Sequence, residues 1–556
     1  MELVSKMLRR SLKPSMPACK QPEVFAPGLS AHAPVYLLLV ILTGCAAVGP
    51  DFIRLEAQVA DRWQASAHPN VSAVEGEYRE WWTVFGDPVL DSLVQSAYRQ
   101  NLPLQIAGIR ILEARAQLGV AVGNIYPQLQ QVRADVSRVE LSDHQPNASG
   151  SLDSSFNDAS AGFDIGWELD LWGRFRRGVE AADADMLASI ADYDDVLVSL
   201  TASVASAYVL IRTFEERLAI ARENAAIQEE SMRITEARFQ NGATTELDVQ
   251  QARTLLLNTK ASIPPLETGL QQAKHALSIL LGLPPGNLED MLGAPGVIPA
   301  APALVAIGIP AELLRRRPDI RRAELQAAAQ SARIGIAESD LYPHFSLVGS
   351  IGLRASDTFN SDLGDLFQLN SLEAFAGPSL TWDVFNYGRI KNNVRVQDAR
   401  LQQLIVNYRN TVLEASREVE DALVGFLQSQ EQVTYLAESV EAARRSVDLA
   451  LLQYRDGLAD YQRVLDTEQA LFLQQDQLVT GRGTIATNLI AMYRAMGGGW
   501  EIRTGKAFVP GEIEETMRNR SDWGELLDPG KVDEGALEAE EGASERDTKT
   551  FRRPDW

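Results

Sequence analysis

The chain has 556 residues, long enough for several ordinary domains or for one unusually extended one. Lysine and arginine number 52 against 75 aspartate and glutamate, a formal charge of −23, and no basic cluster suits a phosphate backbone, which argues against nucleic acid as a partner. The 5 histidines, His32, His68, His144, His275 and His344, are scattered without metal-ligand spacing, and there is no nucleophile elbow, Walker loop or dinucleotide fingerprint, so no enzyme chemistry and no metal or other cofactor is expected.

Near the start, a basic stretch (Lys6, Arg9, Arg10, Lys13, Lys20) leads into the apolar run VYLLLVIL, Val35 to Leu42. That run is too short to span a bilayer and the right size for the core of an export signal. Directly after it, LTGC (Leu42 to Cys45) resembles a bacterial lipobox, whose cysteine thiol is lipidated and becomes the mature N-terminus. Residues 1–44 therefore read as a lipoprotein-type signal, and its long basic region points to Met16 as the true start. Cys19 leaves with the signal and Cys45 carries a lipid, so no intrachain disulfide is expected. With Ala46 rather than aspartate after the cysteine, the expected destination of such a lipoprotein is the outer membrane, and residues 45–85 form a lipid-anchored N-terminal segment.

From there the chain repeats itself at nearly one offset, about 215 residues, far longer than a solenoid period. IYPQL at Ile125 aligns with LYPHF at Leu341, WELDLWGRF at Trp167 with TWDVFNYGRI at Thr381, and ARFQNGATTELDV at Ala237 with LQYRDGLADYQRV at Leu452. The two halves span residues 86–290 and 291–500. Each contains two strand-like stretches. Val132, Ala134 and Val136 alternate with Arg133, Asp135 and Ser137; Ala161, Phe163, Ile165, Trp167, Leu169 and Leu171 alternate with Gly162, Asp164, Gly166, Glu168 and Asp170. The second half repeats the hairpin with Phe345, Leu347, Ile351 and Leu353, then with Leu380, Trp382 and Val384 facing Ser379, Thr381 and Asp383. Four strands cannot close a barrel alone and would leave edges unpaired. The alternatives are a small soluble sheet packed on helices and a barrel shared among copies of the chain. Carboxylates on the polar face, and the aromatic residues Trp167, Trp172, Trp382, Phe385 and Tyr387 near the strand ends, favour the shared membrane barrel.

No proline interrupts Arg174 to Gln240 or Arg389 to Asp456, and Ile390, Val394, Leu401, Ile405, Tyr408, Val412, Ala415, Val419 and Ala422 recur at helical spacing. Each stretch predicts one rod on the order of 100 Å long, with a narrow stripe suited to coiled-coil packing. Return helices are expected over Thr245 to Leu281 and Tyr461 to Met496. The breaks QNGATT and RDGLAD then form two matching tips, with Gly242 and Gly457 in the left-handed conformation and Asn241 and Leu458 beside them. At the other end, strand hands over to helix through Trp167, Trp172 and Gly173, and through Tyr387 and Gly388. GGG at Gly497 reads as a flexible exit from the last helix, LRRRPD (Leu314 to Asp319) as a helix-start surface patch rather than an anion site, and the acidic chain from about Gly505 onward, within a tail over 501–556, as largely disordered.

With CAAVGPDF after the lipobox, WWTVFGDPVLDSLV at Trp81, IPAELLRRRPDIRRAE at Ile309 and AMGGGW ending at Trp500, the sequence resembles the TolC-like outer-membrane efflux proteins, specifically the NodT/OprM-type lipoprotein subunits of resistance-nodulation-division pumps, over roughly Cys45 to Trp500. The resemblance implies a mainly α fold with membrane β structure. In it, a homotrimer shares a 12-stranded outer-membrane β-barrel, four strands per chain, continued by a long periplasmic α-helical barrel. It also implies a passive duct for small molecules such as drugs, closed near the helix tips and opened by a periplasmic adaptor (membrane fusion protein) and an inner-membrane pump. Family members place a tyrosine three residues before the second-tip glycine and an aspartate nine after it; these are Tyr454 and Asp466 here, flanking Gly457. A second acidic ring found in some members is replaced by Arg463, which is expected to pair with Asp466 or with Asp248 of the first tip, unless Arg463 and Asp466 form only a solvated pair on the helix surface. On this reading, Asp466→Asn weakens cation preference and Tyr454→Phe loosens closure. Two other readings remain: a duct for protein secretion through an ATP-driven exporter, and a lipid-anchored periplasmic coiled-coil scaffold without a pore, which gives no reason for the alternation along the strands.

Overall fold

The computed structural model describes residues 47–72, 77–142, 144, 155–286, 288–306, 308, 310–358 and 362–527. The signal reading, Met16 and Cys45 lie outside the described residues, as do 528–556 of the acidic tail.

The helices are α1 (Pro88–Gln100), α2 (Leu102–Gly123), α3 (Arg174–Gln240), α4 (Glu246–Leu280), α5 (Pro310–Arg316), α6 (Pro318–Ser339), α7 (Arg389–Arg455), α8 (Tyr461–Ala495) and α9 (Gly511–Arg520). The strands that form the main sheet are β1 (Leu129–Glu140), β2 (Ser155–Glu168), β3 (His344–Ser356) and β4 (Leu372–Thr381). Both rods are present at the predicted positions, α3 and α7 each running 67 residues, and the returns α4 and α8 each run 35. A return helix therefore covers about half of its rod. Along the remainder, α2 packs on α3, and α6 packs on both α3 and α7. An apolar stretch of α3 is long enough to cross a bilayer, but most of it is buried inside the protein.

Sequence explains why the short helices start where they do. Asp87 of the GDPVL motif accepts backbone N–H bonds from Val89 and Leu90, with Pro88 preset for the first turn; Asn101 caps α2 in the same way through the Leu104 N–H. Asp87 also accepts from the Tyr208 hydroxyl at 2.6 Å, tying α1 to the first rod. Around this point the main core gathers Leu90, Leu93, Ile111, Leu197, Ile211, Leu277 and Phe426, with Trp81 stacked on Tyr493 at 5.2 Å and edge-on to Trp82.

The sheet is antiparallel in the order β1-β2-β3-β4, so strands of the two halves meet at its centre, where Phe163 pairs with Ile351 and Trp167 with Leu347. The register puts Val132, Phe163, Ile351 and Ala374 in one row on one face and Gln131, Asp164, Ser350 and Phe375 in the next row on the other. Gly162 faces Gly352 so closely that a β-carbon on Gly162 would lie 3.0 Å from the Ile351 carbonyl oxygen. Among the described residues, β1 and β4 each keep one unpaired edge.

Four expectations need correction. The last strand begins upstream of the predicted stretch, at Leu372, and ends at Thr381, so Trp382 and Val384 belong to the exit loop; Leu169 and Leu171 likewise lie past the end of β2. Residues 505–527 are folded: Phe508, Val509, Met517 and Leu527 are buried in the main core, because this acidic stretch carries apolar anchors before, within and after the short helix α9. The glycines after α8 are packed rather than flexible. Gly497 and Gly499 have positive φ, and a β-carbon on Gly499 would fall 2.9 Å from the Thr201 hydroxyl. Finally, Arg317 of LRRRPD is neither a surface residue nor free to bind an anion. It is buried, paired with Asp319 and Glu418 at 2.8 Å, and donates to the Ala495 carbonyl at 2.6 Å, clamping α6 to α7 and to the end of α8.

Candidate functional site

The residues singled out in the sequence lie at the two ends of the rods. At the tips, each rod ends in the same pair of bonds. Ala243 N–H reaches the Arg238 carbonyl across Gly242 (φ 72°), and Leu458 N–H reaches the Gln453 carbonyl across Gly457 (φ 71°), which satisfies the last carbonyls only where the turn residue adopts the left-handed conformation. Asn241 donates its side-chain amide to the Ala237 carbonyl, and Leu458 stands exposed.

A small separate core holds the two tips together: Ala252, Leu255, Ala450, Tyr454, Tyr461, Val464 and Leu465. Tyr454 is buried at its centre, edge-on to Tyr461 at 5.3 Å, while its hydroxyl has no hydrogen-bond partner. Arg238 of α3 lies 4.5 Å over the Tyr454 ring and donates to the Tyr454 carbonyl at 2.7 Å. Among the described residues the expected ion pairs are not formed. Exposed Asp466 accepts from Gln462 at 2.8 Å, and Arg463 makes no ion pair among the described residues. Asp248 is taken by its own helix start, where it accepts from the Thr244 hydroxyl and, at 3.0 Å, from the backbone N–H and hydroxyl of Thr245. Partial burial pushes the Asp248 carboxyl upward, but these bonds outweigh it and hold the group below the usual aspartate range.

At the opposite end the duplication is visible bond for bond. The Trp167 indole N–H donates to the Ile125 carbonyl at 3.0 Å, and Trp382 donates to the matching Leu341 carbonyl at 3.0 Å. Gly173 and Gly388, both with φ near 80°, turn the chain into α3 and α7. Beyond that the junctions differ. Trp172 is partly buried, stacked on Tyr342 at 4.7 Å and bonded to the Pro343 carbonyl, whereas Tyr387 is fully exposed and itself adopts a positive φ.

Three features at these ends were not singled out in the sequence. Asp170 caps α3 by accepting the Phe175 and Arg176 N–H groups at 3.0 Å, since Gly173 has no side chain to do so; an acidic residue three positions before an interior glycine was the available signal. Arg177, buried at the first junction, grips the strap that begins at residue 47. It donates to the Val48 and Gly49 carbonyls and pairs with Asp51 at 2.6 Å and Glu180 at 2.7 Å. Ala47 packs against Gly173 and Gly49 against Gly335, each so tightly that a β-carbon at the glycine would lie 2.4 Å from its neighbour. The third is a buried polar contact between Ser231 of α3 and Glu468 of α8.

A family model described as outer membrane efflux protein matches residues 93–283 and 309–498, one segment in each half. Nodulation protein T of Rhizobium leguminosarum bv. trifolii is 28% identical over 464 residues, covering 83% of this chain and 96% of that protein. The pyoverdine export outer membrane protein OpmQ of Pseudomonas aeruginosa is 31% identical over 438 residues, 76% of this chain and 88% of the other. Among solved structures, the outer-membrane channel OprN matches with a TM-score of 0.76 at 33% identity, covering 82% of this chain and all of that one. A sheet joined through paired glycine junctions to two long rods, together with these matches, establishes that the chain belongs to the outer membrane efflux protein family and has the TolC-like channel fold of an outer-membrane protein reaching into the periplasm.

Proposed function

We propose that three copies of this chain form the outer-membrane duct of a tripartite efflux system, through which small molecules leave the cell without entering the periplasmic pool. The observation that carries this reading is the pair of unpaired sheet edges on a sheet with one apolar face, joined to rods about 100 Å long. Three such sheets, twelve strands in all, satisfy every edge in one barrel, and the rods continue its wall across the periplasm. Polar residues such as Asp164 and Gln131 then line water, and Val132, Phe163 and Ile351 face lipid.

In this reading Cys45, lipidated, anchors the strap to the inner leaflet of the same membrane, and the tips around Gly242 and Gly457 close the pore. Tyr454 holds the tip core, and Asp466 forms a ring of three carboxylates around the axis. An adaptor docks near Asn241 and Leu458, and a resistance-nodulation-division pump supplies the cargo. The relatives named above include an exporter of pyoverdine, which supports small-molecule cargo.

Photocrosslinking in living cells from Asn241 and Leu458, with captured partners identified by mass spectrometry, tests the assembly. Recovery of a periplasmic adaptor together with such a pump is the expected result. Capture of an ATP-driven exporter's adaptor would move the chain to protein secretion, and capture of no adaptor would favour a scaffold without a pore.

A further inference from the structure

The contact between α3 and α8 changes character along its length. Near the equator it is apolar, with Leu197, Val204 and Ile211 of the rod packed in the same core as Val479, Ala486 and Ile490. Toward the tips it is polar. Asn224, Gln228, Ser231 and Thr235, spaced four, three and four residues apart, share one face of α3 and are all buried. The α8 residues that meet them are Gln475, Glu468 and Tyr461, seven apart and also buried. Asn224 donates to Gln475 at 2.7 Å, Ser231 to Glu468, and Tyr461 bonds to Thr235. The ladder is incomplete: both amide atoms of Gln228 and one oxygen of Glu468 are buried without a partner. Its equatorial end is closed by Arg217, forked onto Asp476 at 2.7 and 3.0 Å.

Both return helices carry helix-weakening residues just equatorial of this ladder: Pro264 and Pro265 within α4, and Gly481 and Gly483 in α8. Each pair lies roughly 27–33 Å from the tip-end start of its own helix at the helical rise. A long coiled contact with unsatisfied buried polar groups is held less firmly than an apolar one, and hinge points beside it let the part beyond them move as a unit.

We propose that this polar seam, centred on Ser231 and Glu468, is the plane along which the two helical hairpins part when the tip end opens, and that the charge on Glu468 sets how readily they part. The proposal rests on the reading of the tips as the closing end of a duct. Among the described residues the carboxyl has no compensating cation. α3 meets it with Ser231, while Glu230 and Arg233 pair with each other at the surface and Glu229 pairs with Lys260 of α4. α4 keeps Arg253 exposed, and α7 keeps Arg444, Arg445 and Asp448 exposed. On α8 itself the titratable neighbour is Tyr461, with Tyr454 behind it. Burial accordingly pushes the Glu468 carboxyl above its ordinary range, although the Ser231 hydroxyl bond opposes this. An acid whose value is raised in the packed state leaves that state at full strength while protonated and weakens it as rising pH ionises the group. Acid therefore seals the seam and alkali loosens it.

The test uses the full-length purified protein. Backbone hydrogen exchange over 224–235 and 461–475, corrected for intrinsic rates, and conductance in planar bilayers are each followed from about pH 5.5 to about pH 8.5. In the native chain, exchange in both segments and mean conductance are expected to rise together, by at least about threefold, within the tenfold-per-unit limit of a one-proton step. Glu468→Gln should flatten both profiles while the protein keeps its thermal midpoint. Gln228→Leu with Glu468→Leu, which makes the seam apolar, should lower both at every pH. A Glu468→Gln profile that still titrates like the native one overturns the role of the carboxyl, and an apolar seam that conducts as well as the native one overturns the slip plane. Exchange that follows pH without any current would instead reject the duct, and the gating half of the proposal with it.

Discussion

The guanidinium of Arg238 lies over the ring of Tyr454, 4.5 Å from its centre, and joins the end of one rod to the end of the other. Arg238→Ala removes this contact and the bond to the Tyr454 carbonyl, a loss of about 1–2 kcal/mol at a partly exposed site. Conductance in planar bilayers is expected to rise severalfold. Tyr454→Ala should act likewise, whereas Tyr454→Phe should change little, because the hydroxyl it removes bonds nothing among the described residues. The sequence alone had suggested the opposite for phenylalanine.

Asp466 is exposed and bonded only to a neutral amide, so its charge is uncompensated. Asp466→Asn is expected to move the reversal potential in a salt gradient toward the non-selective value, with unitary conductance kept within a factor of about two.

The first-tip cap has a pH dependence of definite sign. Hydrogen bonds from Thr244 and Thr245 depress the Asp248 carboxyl below its ordinary value of 3.8, so its contribution is full above that value and is lost as pH falls through the lower, folded one. Thr245→Ala or Asp248→Asn should cost about 1 kcal/mol at neutral pH, read as faster hydrogen exchange over 246–250; in strong acid the difference from the native chain should vanish for Asp248→Asn and persist in part for Thr245→Ala, whose hydroxyl also accepts the Asp248 N–H.

Arg177 anchors the strap from several sides. Arg177→Ala is expected to cost about 2 kcal/mol and to expose residues 47–59 to limited proteolysis. Gly335→Ala should loosen the strap while leaving every ionisable group in place, since its β-carbon would lie 2.6 Å from the Val48 carbonyl oxygen and 2.9 Å from the Arg177 side chain.

Truncation separates the two parts of the C-terminal region. A stop after Leu527 should leave thermal stability unchanged, while a stop after Gly505 removes Phe508, Val509 and Met517 from the core and should prevent stable folding. Asp194→Asn tests the same anchorage, because it removes the charge of the buried carboxylate onto which the Arg503 guanidinium is forked, at about 3–5 kcal/mol.

Period and punctuation made the rods and tips legible. An unbroken helical spacing and a glycine at each end predict 174–240 within the resolution of any pattern, and the alternation around Phe163 predicts β2. The beginning of β4 was hidden because LEAFAGP mixes small residues with a proline and places Phe375 on the polar face, so no clean alternation exists to read. The packed glycines after α8 and the buried Arg317 were misread for a different reason. Their roles depend on Trp81, Thr201 and Glu418, which the chain brings near only after folding. The same holds for Glu468, which on its own helix is one acidic residue among several and becomes unusual only against Ser231 of the first half.

The equality of the two halves limits how such a chain can change. Rods of 67 residues and returns of 35 keep both tips level. Inserting one residue into α3 alone would lengthen that side by about 1.5 Å and turn everything beyond it by about 100°. The Arg238 and Tyr454 contact would then miss. Lengthening or shortening is tolerated only when it occurs in both halves at matching heights and in whole coiled-coil repeats, so the reach of the protein changes in large, paired steps.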